Sequence, residues 1–329
     1  MMRRRVVAVI ASLALLGLAA GCAGDSSTLD RPKPQAAPGH RMMPAQPTPP
    51  AQPGEAQKTD ESCNPRASVR PTTPLPPPGK MPAGTYMAKI QKDGRLILGT
   101  SQDTLLFSSR NPLTGRVEGF DVDMGRQIAQ AIFGDPDKIQ IKVIAYDDRV
   151  DAPRNGDVHI VADTMTANCA RWKDVNFSSI YYEAGQKVLV STNSPAKSIE
   201  DLGGKRICSA AGSTSYDNIA KVKTKPIPVA MPAFGDCLVA FQLGQVDAIS
   251  TDDTILAGMA AQDPFAKVIG PRFTEEPYAM AMSADHPEFT AFVNAVLQKN
   301  RENGTWAATY KKWLGAFGPA PKPPAAQYK

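Results

Sequence analysis

The sequence predicts an α/β fold, and two observations carry the prediction. Apolar, strand-like runs alternate with amphipathic stretches of about ten to fifteen residues, the signature of β–α–β units. This alternation fills a middle region of about 235 residues whose ordinary composition suffices for one two-lobed domain or two small ones.

Leu96-Ile97-Leu98-Gly99 reads as the first strand. Residues 121–133 follow as an amphipathic helix that ends at Gly134-Asp135-Pro136. Residues 139–144, 158–161 and 188–190 read as further strands, and Arg206-Ile207-Cys208 opens a similar series. Such units predict a largely parallel sheet, with ligands at the carboxyl ends of its strands. No internal repeat with a period of about 20 to 50 residues is visible.

The chain begins differently. Arg3, Arg4 and Arg5 precede an apolar run from Val6 to Ala20. That run falls short of the roughly 20 residues a spanning helix needs. A basic start, a short apolar core and small residues after it predict a signal peptide over residues 1–21. Leu18-Ala19-Ala20-Gly21-Cys22 resembles a bacterial lipobox, with Ala19 where the pattern usually has Leu. The resemblance implies that Cys22 is acylated and that the protein is exported, lipid-anchored in the cell membrane and facing away from the cytoplasm. A buried N-terminal helix is the alternative.

Between Arg31 and Lys80 lie fourteen of the thirty prolines, among Ala, Gln and Gly. Such composition cannot bury enough apolar surface to offset ordering entropy, so residues 22–80 read as a disordered or polyproline-like stalk. A shorter proline-rich tail, residues 318–329, mirrors it. The formal net charge is +5, of which Arg3, Arg4 and Arg5 supply three, leaving +2. That is too little and too dispersed to point to a nucleic acid. Only His40, His159 and His286 occur, with no Cys-x-x-Cys, so neither a metal nor a cofactor is expected. No serine elbow and no phosphate loop is present, which argues against an enzyme.

Three segments in order carry a family signal. Gly119-Phe120-Asp121-Val122-Asp123-Met124 follows the turn Asn111-Pro112-Leu113-Thr114-Gly115. Asp163-Thr164-Met165-Thr166 precedes Arg171 and the run Val175 to Tyr182. Arg301-Glu302-Asn303-Gly304-Thr305-Trp306 leads to Trp313. Over about residues 84–317 the chain resembles the family 3 solute-binding proteins of amino-acid ABC transporters. The resemblance implies a two-lobed, periplasmic-binding-protein-like fold of type II, its lobes joined by two crossing strands. Lobe 1 would comprise 84–185 plus 278–317, lobe 2 would comprise 186–275, and hinges would lie near 182–187 and 276–279. It also implies a monomeric receptor that closes on an amino acid and hands it to a permease and ATPase, or signals to a membrane sensor. Cyclohexadienyl dehydratases share the fold, so an enzyme stays as a further alternative.

A zwitterion in a low-dielectric cleft needs a partner for each charge. The carboxylate calls for a forked guanidinium and N–H groups. Arg171, five residues after Thr166, matches the family's carboxylate-binding Arg, and Thr164 and Thr166 match its strand-end contacts. The ammonium calls for a carboxylate from the opposite lobe. Asp252, after the strand-like Val246-Asp247-Ala248-Ile249, matches that position, with Asp253 as competitor. Thr214, in Gly212-Ser213-Thr214-Ser215, opens a helix whose N–H groups would cradle an anion or merely be capped. Phe107 and Tyr146 fall where the family has aromatic walls, although core packing would look the same. Arg149 aligns with an Arg of acidic-amino-acid binders and favours glutamate or aspartate; pairing with neighbouring aspartates is the alternative. Ser101 replaces a Lys of several such binders, and Ala210 stands where the family's glutamine-type site has a Lys; the pocket is thus less cationic, and the amides asparagine and glutamine stay open.

With Cys22 acylated, Cys63, Cys169, Cys208 and Cys237 remain, and three pairings are possible. The favoured one joins Cys208 to Cys237 within lobe 2 and Cys63 to Cys169 between stalk and lobe 1. Free buried thiols are the alternative.

Overall fold

The apolar run around Leu98 forms a central strand, Leu96–Thr100, because Leu96 and Leu98 are both fully buried. The computed structural model describes residues 63–329. The signal peptide, Cys22 and the stalk up to residue 62 lie outside the described residues.

Five strands make the first sheet, in the order Ile139–Val143, Leu96–Thr100, Ile160–Val161, Ala281–Ser283, Val175–Phe177. The helix Phe120–Phe133 covers it, burying Phe120, Met124, Ile128 and Ile132 at the four-residue spacing of one helix face. Burying one such side chain fully is worth about 1.5–3 kcal/mol. Gly119 starts this helix at φ 147°, where an added Cβ would lie 2.1 Å from the Phe107 carbonyl oxygen, so the close approach admits only glycine. The helix Pro287–Glu302, with proline in its first turn, packs Phe289, Phe292, Val293 and Val296 into the same core. Trp306 joins them and donates its Nε1–H to the Tyr181 carbonyl at 2.7 Å.

The second sheet orders Ile227–Met231, Arg206–Ala210, Ala248–Asp252, Gln186–Ser191, Ala266–Ile269. Between the two sheets the chain crosses twice, at Tyr182–Ala184 and Glu276–Tyr278, which pair antiparallel. Two α/β lobes joined by two crossing strands are therefore present. Cys208 is bonded to Cys237 inside the second lobe and Cys63 to Cys169, with Cα separations of 5.6 and 5.9 Å.

Each sheet is largely parallel, with four of its five strands running one way; the single reversed strand is Ala281–Ser283 in the first and Gln186–Ser191 in the second, added where the chain crosses between the lobes. One expectation needs correction. The stalk reading fails for residues 63–80, and the tail 318–329 is no free mirror of it. Ala67–Ser68 runs parallel to Gln327–Tyr328. Thr72 donates its N–H to the Ala291 carbonyl at 3.1 Å, and Arg301 Nε donates to the Pro324 carbonyl at 3.0 Å. Proline removes only its own N–H, and the intervening groups suffice to bind both segments to the first lobe.

Candidate functional site

Asp121, in the first turn of the Phe120–Phe133 helix, reaches back to the end of the strand Ile160–Val161. Its carboxylate accepts the Thr164 N–H and the Tyr181 hydroxyl, each at 2.7 Å. Burial pushes this carboxyl up to about 7, against the pull of those two donors. Thr164 is held at φ 44°, a left-handed conformation unusual for a β-branched residue. Strain of that kind persists only where surrounding bonds over-determine it, and the Asp121 contact supplies one.

Between the lobes lies a small, nearly closed cavity lined by Tyr146, Arg149, Thr164, Thr166 and Arg171 from the first lobe. Ser213, Thr214, Ser215, Phe234, Thr251, Asp252 and Ile255 line it from the second. Tyr146 and Phe234 meet edge to face, their centroids 4.9 Å apart, and so form an aromatic wall shared by the lobes. Arg171 donates from Nη1 to the Thr166 carbonyl at 2.7 Å and from Nη2 to the Gly212 carbonyl at 2.9 Å. Arg149, buried, donates to the carbonyls of Tyr146, Asp163 and Gly212, and its guanidinium lies 4.5 Å from the Tyr146 ring centroid. Two guanidinium groups thus converge on one carbonyl oxygen. Burial and then the neighbouring Arg149 charge pull the Arg171 pKa down to about 9, and an anion set between the two cations would oppose both effects.

Opposite them sits Asp252, at the end of the strand Ala248–Asp252. Its Oδ2 accepts the Tyr278 hydroxyl at 2.6 Å, whereas its buried Oδ1 has no hydrogen-bond partner among the described residues. Thr164 Oγ1 is likewise buried and unpartnered. Burial, and after it the charge of Glu276, push the Asp252 carboxyl well above the usual carboxylate range. A cation against Oδ1 would restore its ionised form. Asp253, the competitor, turns away and pairs with Arg272 at 2.6 Å.

Seven sequence-selected residues therefore share one cavity: Arg171, Asp252, Thr164, Thr166, Thr214, Arg149 and Tyr146. Phe107 does not line it. Its ring is fully buried against Phe120, Tyr182 and Tyr278, in the core of the first lobe. Ser101 also lies outside the lining, in a hydroxyl network with Thr104 and Ser108 that reaches the Tyr146 hydroxyl through Thr104. Arg149 makes no ion pair with Asp147, Asp148 or Asp151, because its turn points it inward. At the helix Thr214–Lys221, Ser213 is an ordinary N-cap to Tyr216, at 3.2 Å.

Sequence reasoning missed Glu276 and Phe234. Glu276 Oε2 accepts the hydroxyls of Thr166 at 2.6 Å and Thr214 at 2.8 Å, while Oε1 accepts Thr274 and Asn218. Every acceptor site of this buried carboxylate is used, from both lobes. The only signal in the sequence was its place at the expected hinge.

The family model of the bacterial extracellular solute-binding proteins, family 3, matches residues 96–316. The chain belongs to this family. Its match takes in both sheets and all the cavity residues. Among curated relatives, the ABC transporter glutamine-binding protein GlnH of Bacillus subtilis is 37% identical over 229 residues, 69% of this chain and 84% of the relative. The glutamine-binding protein of Geobacillus stearothermophilus is 39% identical over 205 residues, 62% and 78% of the two chains. Among solved structures, an ancestral arginine-binding protein bound to glutamine aligns with a TM-score of 0.63 and 30% identity, covering 68% of this chain and 98% of that one. Solute-binding proteins, not enzymes, surround this chain in sequence, and it is a solute-binding protein too.

Proposed function

We propose that the protein is an extracytoplasmic receptor for a free amino acid with a short acidic or amide side chain, glutamate and aspartate first and their amides next. One observation carries the proposal: the Arg171 guanidinium and the partnerless Asp252 Oδ1 approach one cavity from opposite lobes. A zwitterion would satisfy both charges at once, so binding would draw the lobes together. Arg149, which reaches the cavity between Tyr146 and Gly212, is suited to a side-chain oxygen. Such an oxygen occurs in both the acids and the amides, and the glutamine-binding relatives support the amide end of that range.

Delivery would be to an ABC importer, with the receptor held at the membrane by acylated Cys22. Two or more acyl chains anchor stably at about 0.8 kcal/mol per buried CH₂. A thermal-shift screen with the twenty amino acids tests the ligand, because anything that binds only the folded state raises its stability. Glutamate, aspartate, glutamine or asparagine should give the largest shifts; no shift with any amino acid would sink the reading. Fatty-acid analogue labelling that Cys22→Ala abolishes is the expected result for the anchor, and unlabelled wild type refutes it.

A further inference from the structure

Arg171 projects from a three-residue turn, Arg171–Lys173, too short to hold a guanidinium in place by itself. Its neighbours are fixed from outside the turn. Two residues before it, Cys169 is bonded to Cys63. One residue after it, Trp172 donates its Nε1–H to the Pro65 carbonyl at 2.9 Å. Both anchors belong to one three-residue segment, 63–65, which precedes the family match at 96–316.

That segment is itself held down. Next to it, Ala67–Ser68 pairs with Gln327–Tyr328, and Ser68 Oγ donates to the Phe177 carbonyl at 2.6 Å. Asn294 Nδ2 donates to Ser68 Oγ and to the Val69 carbonyl, each at 2.7 Å. Lys329 Nζ lies 4.1 Å from the Trp172 ring centroid, so the other chain end bears on the same turn.

We propose that residues 63–65 are a positioning element of the binding site: they bracket Arg171 between Cys169 and Trp172 and hold its guanidinium in the geometry that receives the ligand carboxylate. This rests on the reading of Arg171 as the carboxylate partner. The physical ground is preorganisation, since a turn already fixed loses less freedom when ligand binds. The segment also contributes Cys63 and Pro65 to the groove at the cleft mouth, beside Thr166 and Glu276.

The test is a double-mutant cycle. Binding of glutamine and glutamate is measured by calorimetry for Cys63→Ser/Cys169→Ser and for Trp172→Phe, which keeps the disulfide. Each is made in the wild-type and the Arg171→Lys backgrounds. Contacts that act through Arg171 couple to it, so each change should weaken binding about fivefold in the wild-type background and less than about twofold beside Arg171→Lys. Equal weakening in both backgrounds, or none in either, overturns the proposal. Arg171→Lys binding like wild type would instead remove the site reading on which it stands. Hydrogen exchange in the ligand-free protein gives a readout that needs no ligand. Residues 168–174 should exchange faster in Trp172→Phe while residues 96–100 do not change, and unaltered exchange at 168–174 counts against the proposal.

Discussion

The Glu276 carboxylate accepts the Thr166 hydroxyl at 2.6 Å, and the same oxygen takes the Thr214 hydroxyl from the other lobe. One buried oxygen on a connecting strand therefore joins a residue of each lobe. Hydrogen bonds to charged groups are worth about 1.5–3 kcal/mol each. Glu276→Ala breaks four of them and strands the donors, so ligand affinity should fall at least about tenfold. Titration calorimetry checks this; wild-type affinity would show that the contact has no part in closure.

Arg171→Ala and Asp252→Ala should each weaken amino-acid binding by more than about tenfold, because each strands one charge of a buried zwitterion. The two losses should also differ by ligand. An amine lacking the carboxylate should be indifferent to Arg171→Ala, and a carboxylic acid lacking the amine should be indifferent to Asp252→Ala. Competition binding with these analogues separates the roles, and interchangeable effects would contradict the assignment.

Arg149→Ala should weaken glutamate and aspartate more than glutamine and asparagine. The guanidinium forms a charge-assisted bond with either class but neutralises charge only for the acids. An equal loss for all four ligands would remove Arg149 as the residue that reads the side chain.

His159 gives a pH signature separate from the cavity. Its Nδ1 accepts the Ile97 N–H at 2.9 Å, which requires the neutral ring, and burial, followed by the Lys89 charge, pulls its pKa from 6.5 to about 4. The unfolded chain takes up the proton first. Stability from this group is therefore complete above pH 6.5, falls as the pH drops, and is lost below about 4. Thermal melts of wild type and His159→Asn across that range should converge toward the acid end. Parallel curves would mean that His159 does not titrate with unfolding.

Several parts of this molecule were legible from sequence because their cause is local. A buried strand such as Leu96–Thr100 announces itself as a continuous apolar run. Arg171 and Asp252 stood out because the family resemblance has a carboxylate-binding Arg and an ammonium-binding carboxylate at their positions. Glu276 did not, since its partners Thr166 and Thr214 lie 110 and 62 residues away and a carboxylate carries no mark of its donors. Phe107 misled for the opposite reason: an aromatic ring serves equally as core or as cavity wall. The end of the stalk was hidden because proline-rich chain has the same composition in water as laid along a helix. Tertiary contacts separate the cases, chief among them the pairing of Ala67–Ser68 with Gln327–Tyr328.

That pairing also decides which half of the molecule serves as the frame of reference. The described residues begin and end on the first lobe, so a bend at the two crossing strands would swing the second lobe with respect to both of those points. A fluorescent reporter attached beyond Lys329 would travel with the first lobe and register nothing. One placed near the exposed Phe265, on the far lobe, would report every closure.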